Sequence, residues 1–283
     1  MAEERLIFDI GMHLGEDLQF YLHNNARVVA VDADPVMIEL ALRKFNHAIK
    51  SGKLTLVNKA MSNEANVELK FNISSDSFWN SLDAGIADRK DKRVNEISVQ
   101  SITLPDLIKQ YGVPYYCKID IEGMDNACLQ TLKNIDRKPQ FISAETECLT
   151  EDNSANEDDY LKTLNTLHSL GYNKFQLIDQ NTLQPLDPDK KFYENHFPWL
   201  YYANKILGKA GVHAQSLTYR HHLSKKFNYE FPFGSSGVYG EMLRGKWYGF
   251  EDAKKMLLKH RRDYFNLKKH YEYGFWCDWH ATV

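Results

Sequence analysis

Long apolar runs are missing from this 283-residue chain; none approaches the roughly 18 residues a membrane-spanning helix needs, so no membrane span is expected. Paired cysteines are missing too. Cys117, Cys128, Cys148 and Cys277 form no C-x-x-C pair, which argues against a structural zinc site. Cys117 and Cys128 lie in apolar stretches and read as buried free thiols. The opening MAEERLIFDIG is acidic and enters a strand pattern at once; it is no secretory leader, so a cytoplasmic protein is expected. Neither an internal repeat nor a low-complexity segment occurs.

What is present suits one large core, or an α/β domain with an addition: 43% of residues are apolar and 26% charged. The net charge of −3 is unevenly spread. From residue 191 onward, 15 Lys and Arg face 8 Asp and Glu, a balance of +7, so residues 1–190 carry −10. The tail also holds 22 of the 36 aromatic residues and 7 of the 11 histidines. QPLDPDKK, ending at Lys191, has the turn chemistry of a boundary. The expected organisation is a core over 1–190, then a cap with a final helix and strand over 191–283.

Hydrophobic periodicity gives strands at Leu6–Ile10, Arg27–Val31 and Leu54–Val57. Helices at Gly15–Asn25 and from Pro35 to about Lys50 separate them, the second with Asp34 as N-cap. Strand, helix, strand, helix, strand builds a parallel sheet through right-handed crossovers. Val67–Phe71 and Ile97–Ile102 alternate and suggest an antiparallel excursion around a loop, residues 73–95, near the site. Further on, Leu104–Tyr111 and Asn126–Leu132 read as helices, and so does Asp158–Leu170 with Gly171 as its C-cap. Tyr115–Ile121, Phe141–Ala144 and Phe175–Ile178 read as short strands, apolar on both faces as a doubly covered sheet requires. Phe250–Lys269 reads as a basic helix and Trp276–Val283 as a last strand. Residues 192–249 carry no clear pattern.

Three segments carry chemistry. FDIGMHLGED (residues 8–17) sets D-x-G-x-x-x-G between a strand and a helix. Gly11 suits the sharp turn, and Gly15 lets a helix N-terminus come close to a ligand. The spacing is wider than the dinucleotide pattern G-x-G-x-x-G, which argues against a nicotinamide oxidoreductase. Asp9 in front of it suits a cofactor bearing ammonium and sulfonium charge rather than phosphate. VVAVDADP (residues 28–35) places Asp32 at the carboxyl end of the second strand, where an acid can accept both ribose hydroxyls. The plainer reading is a cap for the next helix, a role Asp34 fills better. YYCKIDIEGMD (residues 115–125) brings Lys118, Asp120 and Glu122 to one face of a strand. Such charges are costly to bury unless paired or functional. A bracing ion pair from Lys118 to Asp120 or Glu122 is the alternative. Glu145, ending the next strand, lies beside them.

FDIGMHLGED, VVAVDADP and, above all, SVQSITLPDLIKQYGVPYYCKIDIEGMD resemble the FkbM family of methyltransferases. The shared features are Thr103–Leu104 before a helix, then K-x-D-x-E-G at Lys118, Asp120, Glu122 and Gly123. The run Asn58–Met61 (NKAM), LHSLGYNKFQLI (167–178) and WCDWHA (276–281) are also similar. The likeness spans roughly residues 6–180. It implies a Rossmann-like class I methyltransferase fold, α/β, with a mostly parallel doubly wound sheet, an antiparallel last strand and a C-terminal aromatic and basic cap. It also implies methyl transfer from S-adenosylmethionine to a hydroxyl, often on a sugar or polyketide. Asp9, Gly11, His13 and Gly15 would then line the amino-acid end of the cofactor. Asp32 with Ala33 would hold the ribose, and Asn58, Ala60 and Met61 would neighbour the adenine. Two positions depart from the family: His13 stands where an asparagine-like residue is usual, and Asp32-Ala33 where Glu-Pro is usual. Both keep hydrogen-bonding ability.

Removing a proton from an alcohol needs a base or a metal ion. Asp120, Glu122, Glu145 and His280 are the candidate catalytic groups, with Asp278 placed to orient His280. Asp120 and Glu145 would be the Mg²⁺ ligands if that ion is used. The tail's aromatics suit a glycan or other small-molecule acceptor, and its Lys and Arg suit a phosphate on it. FPFGSSGVYGE (231–241), with three glycines and two serines, suits a mobile lid or a plain surface loop. The +7 tail and KHRRDYFNLKKH (259–270) raise nucleic-acid methylation as an alternative. The tail's 8 acids and the lack of any Pro-Pro-aromatic segment argue against it. An inactive binding protein of the same fold is the non-enzymatic alternative. Oligomeric state is not legible.

Overall fold

The computed structural model describes residues 4–75, 77–88, 93–146, 157–180, 182–189, 219–267 and 276–283. The 191–218 part of the expected cap, Cys148 and residues 268–275 lie outside them. The opening alternation is β1 (Leu6–Ile10), α1 (Leu18–His23), β2 (Arg27–Asp32), α2 (Pro35–Lys44), α3 (Asn46–Lys50) and β3 (Leu54–Asn58). The Asp34 side chain caps α2 by accepting from the Val36 amide at 2.8 Å. The helix expected to run to Lys50 breaks at Phe45, which turns inward to pack at 8% exposure.

Next come β4 (Ala60–Met61), β5 (Glu68–Ser74), a short helix α4 (Ala84–Ala87) and β6 (Arg93–Ile102). β5 and β6 pair antiparallel, so the expected excursion is real and forms a separate three-stranded sheet, β4-β6-β5. Thr103 caps α5 (Leu104–Tyr111) by accepting from the Asp106 amide, which explains the Thr-Leu-Pro-Asp run. The rest of the main fold is β7 (Tyr116–Ile119), α6 (Asp125–Gln130), β8 (Phe141–Glu145), α7 (Glu157–Tyr160), α8 (Lys162–Ser169), β9 (Lys174–Asp179) and β10 (Gln184–Pro185). Gly171, with φ +98°, follows α8 as expected. The tail adds α9 (Tyr219–Phe227), α10 (Phe250–Leu267) and β11 (Cys277–Thr282).

The main sheet has the order β10-β9-β11-β8-β7-β1-β2-β3. β3, β2, β1, β7 and β8 run parallel. β11 is antiparallel to both β8 and β9. This is the mostly parallel, doubly wound α/β sheet that the resemblance implies, with β11 as its antiparallel last strand.

Alternation along the strands separates two cores. Phe8, Ile10, Cys117, Ile119, Ile142, Ala144, Cys277 and Trp279 share one side. Ile7, Tyr116 and Phe141 share the other with α1, α2 and the tail's Leu223, Phe231 and Tyr239. Phe20 of α1 stacks among Phe227, Tyr229 and Phe231 of the tail, at centroid separations of 5.8, 5.0 and 4.7 Å. The described tail therefore packs on both faces, α9 and residues 231–243 on the second and α10 on the first, and its aromatics are largely core. Cys117, Cys128 and Cys277 are buried free thiols. No helix among the described residues is long and apolar enough to cross a membrane.

Candidate active site

At the carboxyl ends of β1, β2 and β7 a pocket opens, the place where ligands bind in open α/β sheets. Its floor is the turn after β1. Gly11 sits at φ +81° and donates its amide to the Val31 carbonyl at 2.9 Å. A Cβ there would lie 1.8 Å from the Asp120 carbonyl oxygen, so only glycine lets the β1 and β7 turns meet. His13, at φ +50°, hydrogen-bonds Glu16 through Nδ1 at 2.9 Å and Ser77 through Nε2 at 2.8 Å. Gly15 does not line the pocket. A Cβ on it would meet Phe45 at 2.8 Å, so its glycine serves packing.

Asp32 lines the pocket at the tip of β2. Its Oδ2 accepts from the His13 amide at 2.9 Å and its Oδ1 from the Asp34 amide at 2.8 Å. It therefore ties the glycine turn to the start of α2, and each oxygen keeps a second lone pair. Burial raises its pKa to about 6, against the pull of those amides. Ala33, Ala60 and Met61 line the same side, with Met37, Phe71 and Leu82 completing an apolar slot. Asn58 is not in the wall; its side-chain amide donates to the Asp32 and Ala33 carbonyls and braces the β2 tip. The segment 73–95 reaches the site through Ser77, Asn80 and Leu82.

The opposite side is acidic. β7 ends at Ile119, so Lys118 and Asp120 share a face, but Glu122 does not continue it. Glu122 lies in the following turn at φ +46°, a correction to the expected three-charge strand face. Even so, carboxylate oxygens of Asp120, Glu122 and Glu145 lie within 4.8 Å of one another. Burial pushes Glu145 far up, and Glu122 and Asp120 add to the shift. Asp125 behind them rises to about 7, from burial and then Asp120.

Lys118 is 4% exposed. Its Nζ lies 3.2 Å from Asp120, 3.6 Å from Asp17 and 3.8 Å from Asp9. Burial alone would lower its pKa; Asp120, Asp9 and Asp17 outweigh burial and raise it well above the usual value. The ammonium is therefore charged. Both Asp9 oxygens lack a hydrogen-bond partner, and burial pushes that carboxyl up despite Lys118. Asp9 stands under the pocket rather than in its wall, a correction to its expected place lining the cofactor.

His280 is fully buried in β11, opposite Ser143 and Gln176, with its ring parallel to Tyr116 at 6.3 Å. Burial lowers its pKa to about 3. It is a neutral interior group outside the pocket wall, not a base at the reacting centre. Asp278 meets Ser236 Oγ at 3.4 Å.

Asp17, singled out by nothing in the sequence, accepts from Ser235 Oγ at 2.7 Å and from the Ser236 amide at 3.0 Å. Ser235 through Gly240 are buried, so 231–241 is no plain surface loop. Ser235→Ala should cost about 2 kcal/mol, a hydrogen bond to a buried charge, read as a lower denaturant midpoint at unchanged slope.

A family model described as the methyltransferase FkbM domain matches residues 9–174. No protein of curated function matches. Among solved structures, the chain is similar to a SAM-dependent methyltransferase from Thiobacillus denitrificans in complex with S-adenosyl-L-homocysteine. The identity is 12% and the TM-score 0.40, over 100% of this chain and 86% of that one. A SAM-dependent methyltransferase from Geobacter sulfurreducens matches at 12% identity and TM-score 0.36, over 100% and 84%. A precorrin-6y C5,15-methyltransferase from Geobacter metallireducens matches at 12% identity and TM-score 0.34, over 63% and 70%.

Proposed function

Because the chain belongs to the FkbM family of methyltransferases, we propose that it moves a methyl group from S-adenosylmethionine to a hydroxyl of a small polar acceptor, such as a sugar, glycan or related natural product. One observation carries the reading. A single pocket joins a glycine turn and an acid-tipped strand to a cluster of carboxylates at neighbouring strand ends.

The residues present fit the cofactor. Gly11 lets the β1 and β7 turns close into one floor that lines the pocket, and Asp32 has lone pairs for ribose hydroxyls. The slot of Ala60, Met61 and Phe71 suits a flat purine. Lys118, the cation beneath the turn, is already surrounded by carboxylates and so is not available to hold a pyrophosphate. When bound, S-adenosylmethionine supplies an electrophilic methyl on a cationic sulfur. Asp120 and Glu122 line the pocket and are placed to accept the proton of an incoming hydroxyl. Glu145 reaches the same spot. The three also form a hard oxygen donor set that would hold Mg²⁺ and lower the hydroxyl's pKa. The described tail closes this side as an acceptor cap, and the acidic lining opposes a nucleic-acid backbone.

Calorimetry with S-adenosylhomocysteine tests the cofactor half. Binding is expected, with at least about a tenfold loss on Asp32→Ala; no binding by the intact protein overturns the reading. Chelation tests the metal: EDTA should stop methyl transfer without weakening cofactor binding if Mg²⁺ takes part, and leave transfer intact if a carboxylate alone is the base. The pH dependence has a definite sign. Asp32 gains a proton as pH falls through about 6, and ribose donors bind its ionised form. Cofactor affinity should therefore plateau above pH 6 and drop by up to about tenfold per unit below it. Asp32→Asn should flatten that profile.

A further inference from the structure

Phe233 is 66% exposed, the most exposed large apolar side chain among the described residues. It is not a loose loop tip. Its neighbour Pro232 gives its carbonyl to the buried Arg220 guanidinium at 2.5 Å and to the Ser235 amide at 3.2 Å. Ser235 is in turn held by Asp17. The Phe233 ring lies 5.8 Å from Trp276 at an interplanar angle of 55°.

Trp276 and Gly234 line the pocket just described. The Trp276 carbonyl accepts the Gln180 amide at 3.0 Å, and the next carbonyl, of Cys277, accepts the Thr146 amide at 2.9 Å. These bonds hold the backbone of Trp276 and Cys277 beside the end of β8, where Glu145 joins Asp120 and Glu122. Trp276 thus stands in the pocket wall on braced backbone, with the Phe233 ring against it at the rim.

We propose that Phe233 and Trp276 form the platform on which the acceptor's ring lies. The acceptor they select is an uncharged ring bearing hydroxyls, not a phosphorylated or carboxylated one. This inference rests on the reading of the pocket as a methyl-transfer site. Aromatic faces take up the C–H or π face of a ring, and neighbouring carboxylates accept its hydroxyls. The same carboxylates repel an anion. Among the described residues, no basic side chain of the tail lines the pocket.

Saturation-transfer NMR on protein loaded with S-adenosylhomocysteine tests this. The probes are methyl β-D-glucopyranoside, catechol, glucose 6-phosphate and glucuronate. Saturation is expected on ring protons of the pyranoside or of catechol, whichever ring type the platform fits, and not on either anion. Phe233→Ala and Trp276→Ala should each cut that signal about fivefold, the scale of one aromatic contact. Leu40→Ala, another exposed apolar side chain, should not. Absence of signal from both neutral rings, equal signal from the anions, or no loss in either variant overturns the inference. Failure to bind S-adenosylhomocysteine is a different result, which removes the functional reading itself.

Discussion

Gly11→Ala is expected to abolish S-adenosylhomocysteine binding and to lower stability by roughly 3 kcal/mol or more. The new methyl would sit 1.8 Å from the Asp120 carbonyl oxygen, a backbone atom that cannot swing aside. Either β1 and β7 separate at their tips or the turn reverses its φ; both dismantle the floor of the pocket. Gly52→Ala is the matched control. Its φ is +74°, yet nothing lies within 4 Å of the added carbon. It should cost only the left-handed backbone penalty of about 1 kcal/mol. Denaturant unfolding and calorimetry on the pair separate conformational cost from collision. Equal losses in both would mean that the contact between the two turns is not what matters.

Lys118→Met should destabilise the protein by about 3–5 kcal/mol near neutral pH, because one cation faces three buried or part-buried carboxylates. Without it, Asp9 and Asp17 are pushed further toward the protonated form, their folded pKa values lying above those of the unfolded chain. The variant therefore binds more protons folded than unfolded, and its stability falls as pH rises through those folded values. It should be measurably more stable at pH 5 than at pH 7.5. Adding Asp9→Asn should recover part of the loss at pH 7.5, since Asp9 has no hydrogen bond to forfeit. Thermal unfolding across pH on the three proteins checks this; a pH-independent deficit would point to lost packing instead.

Local rules carried far. The FDIG turn, the Asp34 cap, the Thr103 cap and the parallel opening are set by neighbours within a few residues, so they are readable in order along the chain. Convergence of Asp120, Glu122 and Glu145 was legible because strand ends in a parallel sheet collect at one edge. What escaped depends on distance or conformation. Asp17 meets Ser235 across 218 residues, and nothing about either residue names the other. Glu122 leaves the strand face because of its own positive φ, invisible in a K-x-D-x-E spelling. His280 looked like a base because histidine titrates near neutrality; its position in the middle of the sheet, facing Tyr116, removes that ability. Asp9 and Gly15 support the turn from below and behind, a distinction that spacing alone does not draw.

The placement of β11 constrains how the molecule is made. Residues 277–282 slot between β8 and β9, strands synthesised more than a hundred residues and about a hundred residues earlier, respectively. Until that segment leaves the ribosome, β8 and β9 each show an unsatisfied hydrogen-bonding edge, the kind of surface on which nascent chains aggregate. The β1–β7 half can assemble during translation, while the far half must wait. A stop codon at position 276 should therefore yield insoluble protein that holdase chaperones retain, even though every residue of the glycine turn and of the Asp120 cluster is present.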